Sequence, residues 1–426
     1  MSGQRAADEP YTTRFETGVS AVDGRRVWLE TTFFYAEGGG QPADCGSIGD
    51  VAVEDVQRVD GEHVHVLAEE PRFRAGHRVL CSIDWSYRMY CMRAHTASHV
   101  LYGAARRLCA SADDGEDTEV GDDTLGYAGF DIGDETVRVD LEAPTTIDDE
   151  TLVELDRLVN RAVWESRPVS WETVPVAKAR EREGIAFNET TEDGAVSSGR
   201  VRVVTIGAED DNDANGSRNP WDVAACGGTH VRNTREIGPV TVLDWSSPAD
   251  GVTRVEFAVG PRAIERRETE KRATFATKRA LGVGIEAVPD AIARLQSETE
   301  SLRTELTATR RSLLETRLER AKSVDRDGSR WLVTSCSDVP LEFLRAGVRE
   351  VVESDAVDAD VVVVVGHRDD GETAAVIASV GDRSVADIAA EFGVTCDDSG
   401  RSERFAQVGG FEVSAAELVD ELVGHQ

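Results

Sequence analysis

Two pairs of potential metal ligands, far apart in the chain, constrain its fold more than any other feature. His95 and His99 lie four residues apart in a segment rich in Ala, Leu and Arg. That composition favours a helix, on which both imidazoles project from one face. Cys226 and His230 are also four apart, and the two glycines between them favour a tight turn. Three nitrogens and one sulfur form a ligand set that suits Zn²⁺.

These residues also have a simpler interpretation. A lone His or Cys usually belongs to the core or the surface, and histidines four apart arise by chance in many helices. Here three of the 8 histidines fall into the two pairs, which favours a metal site. Four protein ligands would complete a structural tetrahedron, whereas a reactive site keeps one position open. We favour a reactive site over a closed structural one. Either one ligand is loose or the coordination shell expands, or zinc only holds and orients a substrate, and the sequence does not choose between these roles.

Residues 1–84 are predicted to form β structure. Residues 27–34 are rich in β-branched and aromatic side chains. Residues 51–56 and 64–66 are short runs of alternating side chains, separated by Gly or acidic turns. A small N-terminal β-barrel is the simplest closure. Three consecutive glycines followed by Gln41 lie between the first runs. They form either a flexible turn or a loop whose backbone amides approach a ligand.

Residues 85–258 are predicted to form a two-layer α/β domain, in which a helix and a distant turn deliver the metal ligands to an open cleft. An acidic stretch, residues 111–123, follows the helix that carries His95 and His99. Strands are expected at residues 127–132, 136–141, 201–206, 240–243 and 252–259, with a second helix at residues 148–165.

Residues 259–326 are predicted to form a helical hairpin, with helix extending to about residue 324. Arginines and lysines crowd the first helix. The second helix has apolar residues at mostly three-, four- and seven-residue steps, typical of an imperfect coiled-coil seam. The seam consists of Ile292, Leu295, Leu302, Leu306 and Leu313.

Residues 327–426 are predicted to form a C-terminal α/β domain. The expected strands are residues 331–334, 360–365 and 373–380, and the expected helix is residues 341–352. The chain is therefore expected to be a multidomain α+β protein, which agrees with its 426 residues. No run of eighteen apolar residues is present and the 7 cysteines are scattered, so we expect a cytoplasmic protein without disulfides.

The chain carries 80 acidic and 47 basic residues, a net charge of −33, and only Lys178, Lys271, Lys278 and Lys322 are lysines. An acidic surface of this kind normally repels nucleic acid. A lysine-poor, acidic composition throughout is typical of a halophilic protein. At about 1 M salt the Debye length falls to about 3 Å, so net charge does not exclude a polyanionic partner.

The motifs resemble a known family. Residues 84–99, Asp-Trp-Ser-Tyr-Arg-Met-Tyr-Cys-Met-Arg-Ala-His-Thr-Ala-Ser-His, together with residues 226–238, Cys-Gly-Gly-Thr-His-Val-Arg-Asn-Thr-Arg-Glu-Ile-Gly, closely resemble the editing domain of alanyl-tRNA synthetases and free-standing alanyl-tRNA editing proteins. The Gly-Gly-Gly-Gln loop is similar to the glycine-rich motif of their N-terminal barrel. Residues 400–410 resemble the glycine-rich loop of a C-terminal domain shared with DHH phosphoesterases. The resemblance covers essentially the whole chain.

The resemblance implies a hydrolase that removes Ser or Gly from mischarged tRNA for alanine, acting in trans, because the chain starts directly at the barrel and leaves no room for aminoacylation motifs. It implies that His95, His99, Cys226 and His230 bind Zn²⁺. We expect Gln41 to position substrate. Thr96 can do the same or bond its own helix backbone, and we favour the backbone. Further substrate contacts are expected from Gly38, Gly39 and Gly40 and, to RNA phosphates, from Arg266, Arg267 and Arg272, with a solvated basic face as the alternative.

Two other functions remain open at this point. The chain could edit another charged tRNA, such as seryl-tRNA for threonine, or it could be a zinc-stabilised tRNA-binding protein without catalysis. Residues 111–123 depart from the family pattern, in which a strand lining the amino-acid pocket follows the second histidine, so pocket residues there are not assigned. We also expect a homodimer through the helical hairpin or the C-terminal domain, and no membrane partner.

Overall fold

The computed structural model describes residues 3–112, 125–142, 148–182, 185–187, 199–207, 220–336, 339–353, 357–368, 371–381, 383–391 and 404–424. Most of the acidic stretch at residues 111–123, and residues 400–403 of the C-terminal glycine-rich motif, lie outside these ranges. The chain divides into two compact units, Met1–Ala276 and Thr277–Gln426. The predicted domain boundaries at residues 84, 258 and 326 remain predictions.

The described part of the first unit contains sixteen strands: β1 (Gly3–Gln4), β2 (Arg14–Asp23), β3 (Arg26–Leu29), β4 (Thr31–Thr32), β5 (Gly46–Ile48), β6 (Val51–Val59), β7 (Glu62–Leu67), β8 (Arg78–Ile83), β9 (Gly126–Ile132), β10 (Val137–Glu142), β11 (Val169–Pro175), β12 (Ile185–Ala186), β13 (Arg200–Ile206), β14 (Asp222–Ala225), β15 (Val240–Ala249) and β16 (Val252–Val259). Its helices are α1 (Trp85–Ala112), α2 (Asp149–Trp164), α3 (Val176–Arg180) and a 3₁₀ turn, Thr234–Ile237. The next helix, α4 (Pro261–Leu281), contains the boundary between the units.

The second unit contains a 3₁₀ turn (Ile285–Ala287), α5 (Val288–Glu319), β17 (Lys322–Arg326), β18 (Ser329–Ser335), α6 (Leu341–Glu353), β19 (Val361–His367), β20 (Thr373–Ser379), α7 (Val385–Glu391), β21 (Phe405–Phe411) and α8 (Ala415–Gly424). These strands form one sheet in the order β17-β18-β19-β20-β21. Helices α6 and α8 each pack on this sheet, and their apolar faces enclose Val361 to Val365 of the central strand.

The predicted N-terminal barrel is confirmed. Strands β2, β3, β7, β6, β5 and β8 close into a barrel in that order. The alternating pattern of β6 places Val51, Val53 and Val56 in the barrel core, where they meet Leu29 and Leu67. The barrel therefore supplies a rigid support for the loop that carries the three glycines.

Two four-stranded sheets and the helices α1, α2 and α3 are among the described elements of the rest of the first unit, as the predicted α+β class requires. The sheets have the orders β15-β16-β10-β9 and β11-β13-β14-β12. Helix α2 begins where expected, because Asp148 caps it by accepting a hydrogen bond from the backbone N–H of Thr151. Its buried residues Leu155 and Val159 share one core with helix α1.

The region between the two mixed α/β parts is helical, as predicted, but the helix ends earlier. Residues Lys322–Arg326 form a strand that pairs with β18, so the prediction of helix to about residue 324 is wrong. The C-terminal motif is also not a loop throughout, because Phe405–Phe411 is a strand of the sheet. The apolar seam of α5 lies on the surface, with exposed fractions of 36–58% from Leu313 to Leu302. Its coiled-coil role remains a prediction.

Among the described residues, no helix is both long enough and apolar enough to cross a membrane.

Candidate metal centre

Helix α1 is fixed at its start, upstream of the two histidines. Asp84 accepts hydrogen bonds from the backbone N–H groups of Ser86 and Tyr87 at 2.9 and 3.1 Å. One turn on, the guanidinium of Arg88 is buried and forms an ion pair with Asp44 of the barrel. A buried, paired arginine resists displacement, because separating the pair would leave an uncompensated charge. The barrel therefore sets the position of His95 and His99.

Strand β14 delivers the other two ligands, and a glycine lets it approach the helix. A Cβ atom at Gly103 of α1 would lie 2.5 Å from the carbonyl oxygen of Trp221. The indole N–H of Trp221 donates to the carbonyl of Val100 at 2.9 Å. Strand β14 follows immediately and ends at Ala225, so Cys226 is placed directly against the helix face that carries the histidines.

The turn after Cys226 brings His230 back to the same point. Gly228 is required there, because a Cβ atom at this position would lie 2.1 Å from Cε1 of His95. Gly227 is different, because a Cβ atom added to it would meet no other atom within 4 Å. The close approach of His95 therefore requires glycine at position 228 but not at position 227.

The structure brings the four sequence-predicted ligands together. One atom from each of His95, His99, Cys226 and His230 lies within 4.8 Å of the other three. The sulfur of Cys226 is 3.3 Å from Nε2 of His95 and 3.2 Å from Nε2 of His230. In a tetrahedral zinc site, bonds of about 2.0 Å to nitrogen and about 2.3 Å to sulfur separate N and S by about 3.5 Å. The donor set and its spacing therefore fit Zn²⁺.

Each histidine is held by a hydrogen bond at its other ring nitrogen. Nδ1 of His95 donates to Oε1 of Gln41 at 2.9 Å, and Nδ1 of His99 donates to Asp222 at 2.8 Å. Nδ1 of His230 lies 3.3 Å from the hydroxyl oxygen of Thr96. Such contacts fix the tautomer and leave the Nε2 lone pairs directed at the ion.

The orientation of Gln41 is itself defined. Its Oε1 accepts a hydrogen bond from the backbone N–H of Thr229 at 3.0 Å, and its Nε2 donates to the hydroxyl of Thr229 at 2.8 Å. Gln41 is fully buried. A single side chain from the barrel loop therefore connects the helix ligand His95 to the turn between Cys226 and His230.

The ionised groups of the cluster favour a bound cation. Burial opposes ionisation of Cys226, but the imidazoles of His95 and His230 outweigh it and hold the pKa of the thiol well below its usual range. Burial also opposes a proton on His99, yet hydrogen bonds to Asp222 and Cys226 raise its pKa to about 10. Burial lowers the pKa of His230 to about 3. A buried thiolate and carboxylate thus demand a cation, which a metal ion can supply in place of the proton on His99.

A cavity of about 320 Å³ opens beside the cluster. His95, His99 and Cys226 line one part of it, and Gly38 and Gly39 of the barrel loop line another. Tyr35, Tyr102, Tyr127 and Phe187 supply aromatic walls. A mostly apolar pocket with a few polar groups at one end is the usual form of a small-ligand site.

Three residues that were predicted to bind or position substrate have contacts inside the protein: Gly40, Gln41 and Thr96. Gly40 does not line the cavity: its φ is +79°, and a Cβ atom would lie 1.9 Å from the carbonyl oxygen of Phe130. Gln41 orients His95, as described above. The hydroxyl of Thr96 donates to the carbonyl of Met92 at 2.7 Å and is fully buried behind His230, in agreement with the backbone alternative. Gln41 and Thr96 therefore position ligand histidines, His95 and His230 respectively.

The three predicted RNA-binding arginines all have partners within the first unit. Arg266 donates to Glu270 at 2.7 Å, and Arg272 donates to Glu268. Arg267 is different, because its Nε donates to the hydroxyl of Thr241 at 2.9 Å and so ties α4 to strand β15. Of these three arginines, only Arg266 and Arg272 are therefore held by exposed ion pairs within the helix. Replacing such a pair with a contact to an RNA phosphate costs little free energy.

Sequence reasoning did not assign a role to Asp222 or Thr229. Asp222 is almost fully buried and receives the hydrogen bond from His99. Its place four residues before Cys226, in a short apolar strand, is an available signal, because a carboxylate is rarely buried without a partner. Thr229 gives no comparable signal, since its partner Gln41 is 188 residues away.

Two family models match parts of this chain. The model described as "Threonyl and Alanyl tRNA synthetase second additional domain" matches residues 201–256, which include Cys226 and His230. The model described as "tRNA synthetases class II (A)" matches residues 8–87, which include the barrel.

Curated relatives carry the comparison further along the chain. An alanine–tRNA ligase of Pyrococcus abyssi (strain GE5 / Orsay) is 35% identical over 311 residues, which are 72% of this chain and 31% of the ligase. The ligase of Thermococcus kodakarensis is 32% identical over 388 residues, 88% of this chain and 39% of the ligase. The ligase of Ignicoccus hospitalis is 29% identical over 419 residues, which are 97% of this chain and 42% of the ligase. The chain spans less than half the length of these relatives. It is related to the alanine–tRNA ligases and contains a region of the second additional domain found in threonyl and alanyl tRNA synthetases.

Proposed function

We propose that this chain alone hydrolyses the ester between serine or glycine and tRNA for alanine, with Zn²⁺ held by His95, His99, Cys226 and His230. The observation that carries the proposal is the position of the four ligand atoms, within 4.8 Å of one another, with His95, His99 and Cys226 at the wall of a cavity. The similarity to alanine–tRNA ligases supports the RNA class of the substrate.

The cavity suits a small aminoacyl group. Its volume of about 320 Å³ lies at the lower end of the range for ligand pockets, about 300–1,000 Å³. It can admit an amino acid and its ribose but not an RNA duplex. Tyr35, Tyr102 and Tyr127 are bulky residues among those that line it. Small side chains such as those of serine and glycine therefore suit it.

A bound Zn²⁺ supplies Lewis-acid polarisation of the ester carbonyl and a lowered pKa for a coordinated water. The protein groups orient the site around it. Gln41, Asp222 and Thr96 keep the histidine protons on Nδ1. An aminoacyl ester is already activated, so positioning contributes a large share of the rate.

Direct attack by water fits the lining better than a covalent intermediate. Among the described residues that line the cavity, Cys226 is the one strong nucleophile and there is no serine or threonine. Cys226 is committed to the ligand cluster. An acyl-enzyme is therefore not part of the proposal.

The family description names threonyl as well as alanyl synthetases, so editing of seryl-tRNA for threonine is the second candidate. Zinc-stabilised tRNA binding without catalysis is the third. One assay separates them: the purified chain is incubated with Ser-, Gly- and Ala-charged tRNA for alanine and with Ser-charged tRNA for threonine. We expect release of Ser and Gly from tRNA for alanine and little release of Ala. Preference for the threonine tRNA would favour the second candidate, and no release from any substrate would contradict catalysis.

A further inference from the structure

One barrel hairpin reaches the cavity with two nitrogen-bearing side chains. Strands β6 and β7 are joined by Asp60 and Gly61, both with positive φ, which is a tight two-residue hairpin turn. Arg58 and His63 face each other across this hairpin, two residues from its tip. Both line the cavity that contains the metal ligands. The hairpin therefore presents them together on a rigid element.

Neither side chain has an internal partner that would explain its position. Among the described residues, Arg58 forms no ion pair with any carboxylate, although acidic residues outnumber basic ones by 80 to 47 in the chain. Nδ1 of His63 is buried without a hydrogen-bond partner in the same part of the structure. Burial and the facing Arg58 lower the pKa of His63, so the pair is a guanidinium opposite an uncharged imidazole that keeps one N–H to donate. The pair is therefore better explained by an external anion.

The rest of the cavity has the same electrostatic character. Arg200 and Arg202 line it from strand β13. The Nε of Arg202 is buried and has no hydrogen-bond partner among the described residues, while its other nitrogens donate to the carbonyls of Cys226 and Ala7 at 2.8 Å. Glu37 is the one carboxylate among the described lining residues, and it accepts a hydrogen bond from Gln57 at 2.8 Å. In a chain of net charge −33, this pocket is locally basic.

We propose that Arg58 and His63 bind the phosphodiester that precedes the terminal, ester-bearing nucleoside of the tRNA. This inference rests on the proposed function. With the ester at the metal cluster, the next anionic group of an RNA 3′ end is this phosphodiester, and the hairpin is the basic element of the cavity that belongs to the barrel. A guanidinium binds phosphate oxygens through two parallel N–H donors, and the imidazole adds a third.

The test compares two substrates that differ in this phosphate. Seryl-tRNA for alanine contains it, and seryl-adenosine, with serine esterified to the ribose, does not. We expect the ratio of kcat/KM for seryl-tRNA to kcat/KM for seryl-adenosine to fall about tenfold in each of Arg58→Gln and His63→Gln. The matched control is Arg78→Gln, because Arg78 is an exposed barrel arginine that pairs with Glu16 and does not line the cavity. Its ratio should equal that of the wild type.

Folding is checked by zinc content and thermal midpoint, measured on the same samples. A wild-type ratio in both hairpin variants would overturn the phosphate site, and so would an equal loss on the two substrates. A fall of the ratio in Arg78→Gln as large as in Arg58→Gln would overturn it as well, since general charge would then explain the result. A wild-type chain inactive on both substrates would instead contradict the proposed function, and this site with it.

Discussion

Gly227 and Gly228 are neighbours in the ligand turn, yet only one of them has space for a side chain. A Cβ atom at Gly228 would overlap the ring of His95, whereas one at Gly227 would meet nothing within 4 Å. We therefore expect Gly228→Ala to displace His95 and lose most of its zinc, and Gly227→Ala to retain it. Zinc per chain, measured by atomic emission, checks this pair. Equal zinc content in the two variants would contradict the assigned geometry.

His65 makes the barrel sensitive to acid. Burial lowers its pKa to about 4, while its ring nitrogens contact Thr32 and the carbonyl of Val27. The unfolded chain binds a proton below about pH 6.5 and the folded protein does not. Stability is therefore lost as pH falls from about 6.5 towards 4, by about 2 kcal/mol between pH 7 and pH 5.

The corresponding experiment uses His65→Gln, with His77→Gln as the control for removing an exposed histidine. Free energies of unfolding are measured by chemical denaturation at pH 7 and pH 5. We expect the difference between wild type and His65→Gln to shrink by about 2 kcal/mol at the lower pH. An unchanged difference would show that His65 is protonated in the folded protein.

The spacing of the ligands was the part of the site that sequence could predict, because a four-residue step has a defined geometry on a helix and in a glycine turn. The roles of Gln41 and Thr96 could not be predicted in the same way. Gln41 was expected to position substrate and Thr96 to bond either substrate or its own helix backbone, and the contact that each makes with a ligand histidine was not expected. Which side of an element faces the ion depends on how the barrel and helix α1 are placed, and no local pattern records that.

At the scale of elements, the basic helix α4 contains two kinds of arginine. Arg267 ties the helix to Thr241, whereas Arg266 and Arg272 form ion pairs on the helix surface. We expect the double variant Arg266→Ala, Arg272→Ala to weaken tRNA binding severalfold and to leave the hydrolysis of seryl-adenosine unchanged. Arg267→Ala should weaken tRNA binding and should also lower the thermal midpoint of unfolding. If the double variant binds tRNA as tightly as wild type, these arginines form only a solvated face.

The elements themselves were predictable where strong local signals exist. The helix predicted at residues 148–165 is α2, Asp149–Trp164, and the strand predicted at residues 51–56 is the first part of β6, Val51–Val59. Strand β17 was missed because it is short and polar and follows a helix without a break in composition. Asp327 and Gly328, both with positive φ, form the hairpin turn after it, and this pair was the available signal.

At the scale of the whole molecule, net charge governs the response to salt. At low ionic strength a protein with a net charge of −33 repels tRNA, and its own acidic side chains repel one another. Screening shortens the Debye length from about 10 Å at about 0.1 M to about 3 Å at about 1 M salt. We expect deacylation of Ser-charged tRNA and thermal stability both to rise over this range of potassium chloride. Activity that peaks at about 0.1 M and then declines would show that phosphate pairing dominates and that the halophilic interpretation is wrong.

The most direct test of the proposed metal centre measures zinc content and serine release on the same protein samples. Cys226→Ala and His95→Ala each remove one ligand from a different element, and Cys45→Ser serves as the control, because Cys45 lies outside the cluster. We predict one zinc per chain and rapid release of serine from tRNA for alanine in the wild type and in Cys45→Ser, and loss of both in the two ligand variants. Full zinc content in Cys226→Ala and His95→Ala, or undiminished serine release without zinc, would contradict the proposed metal centre.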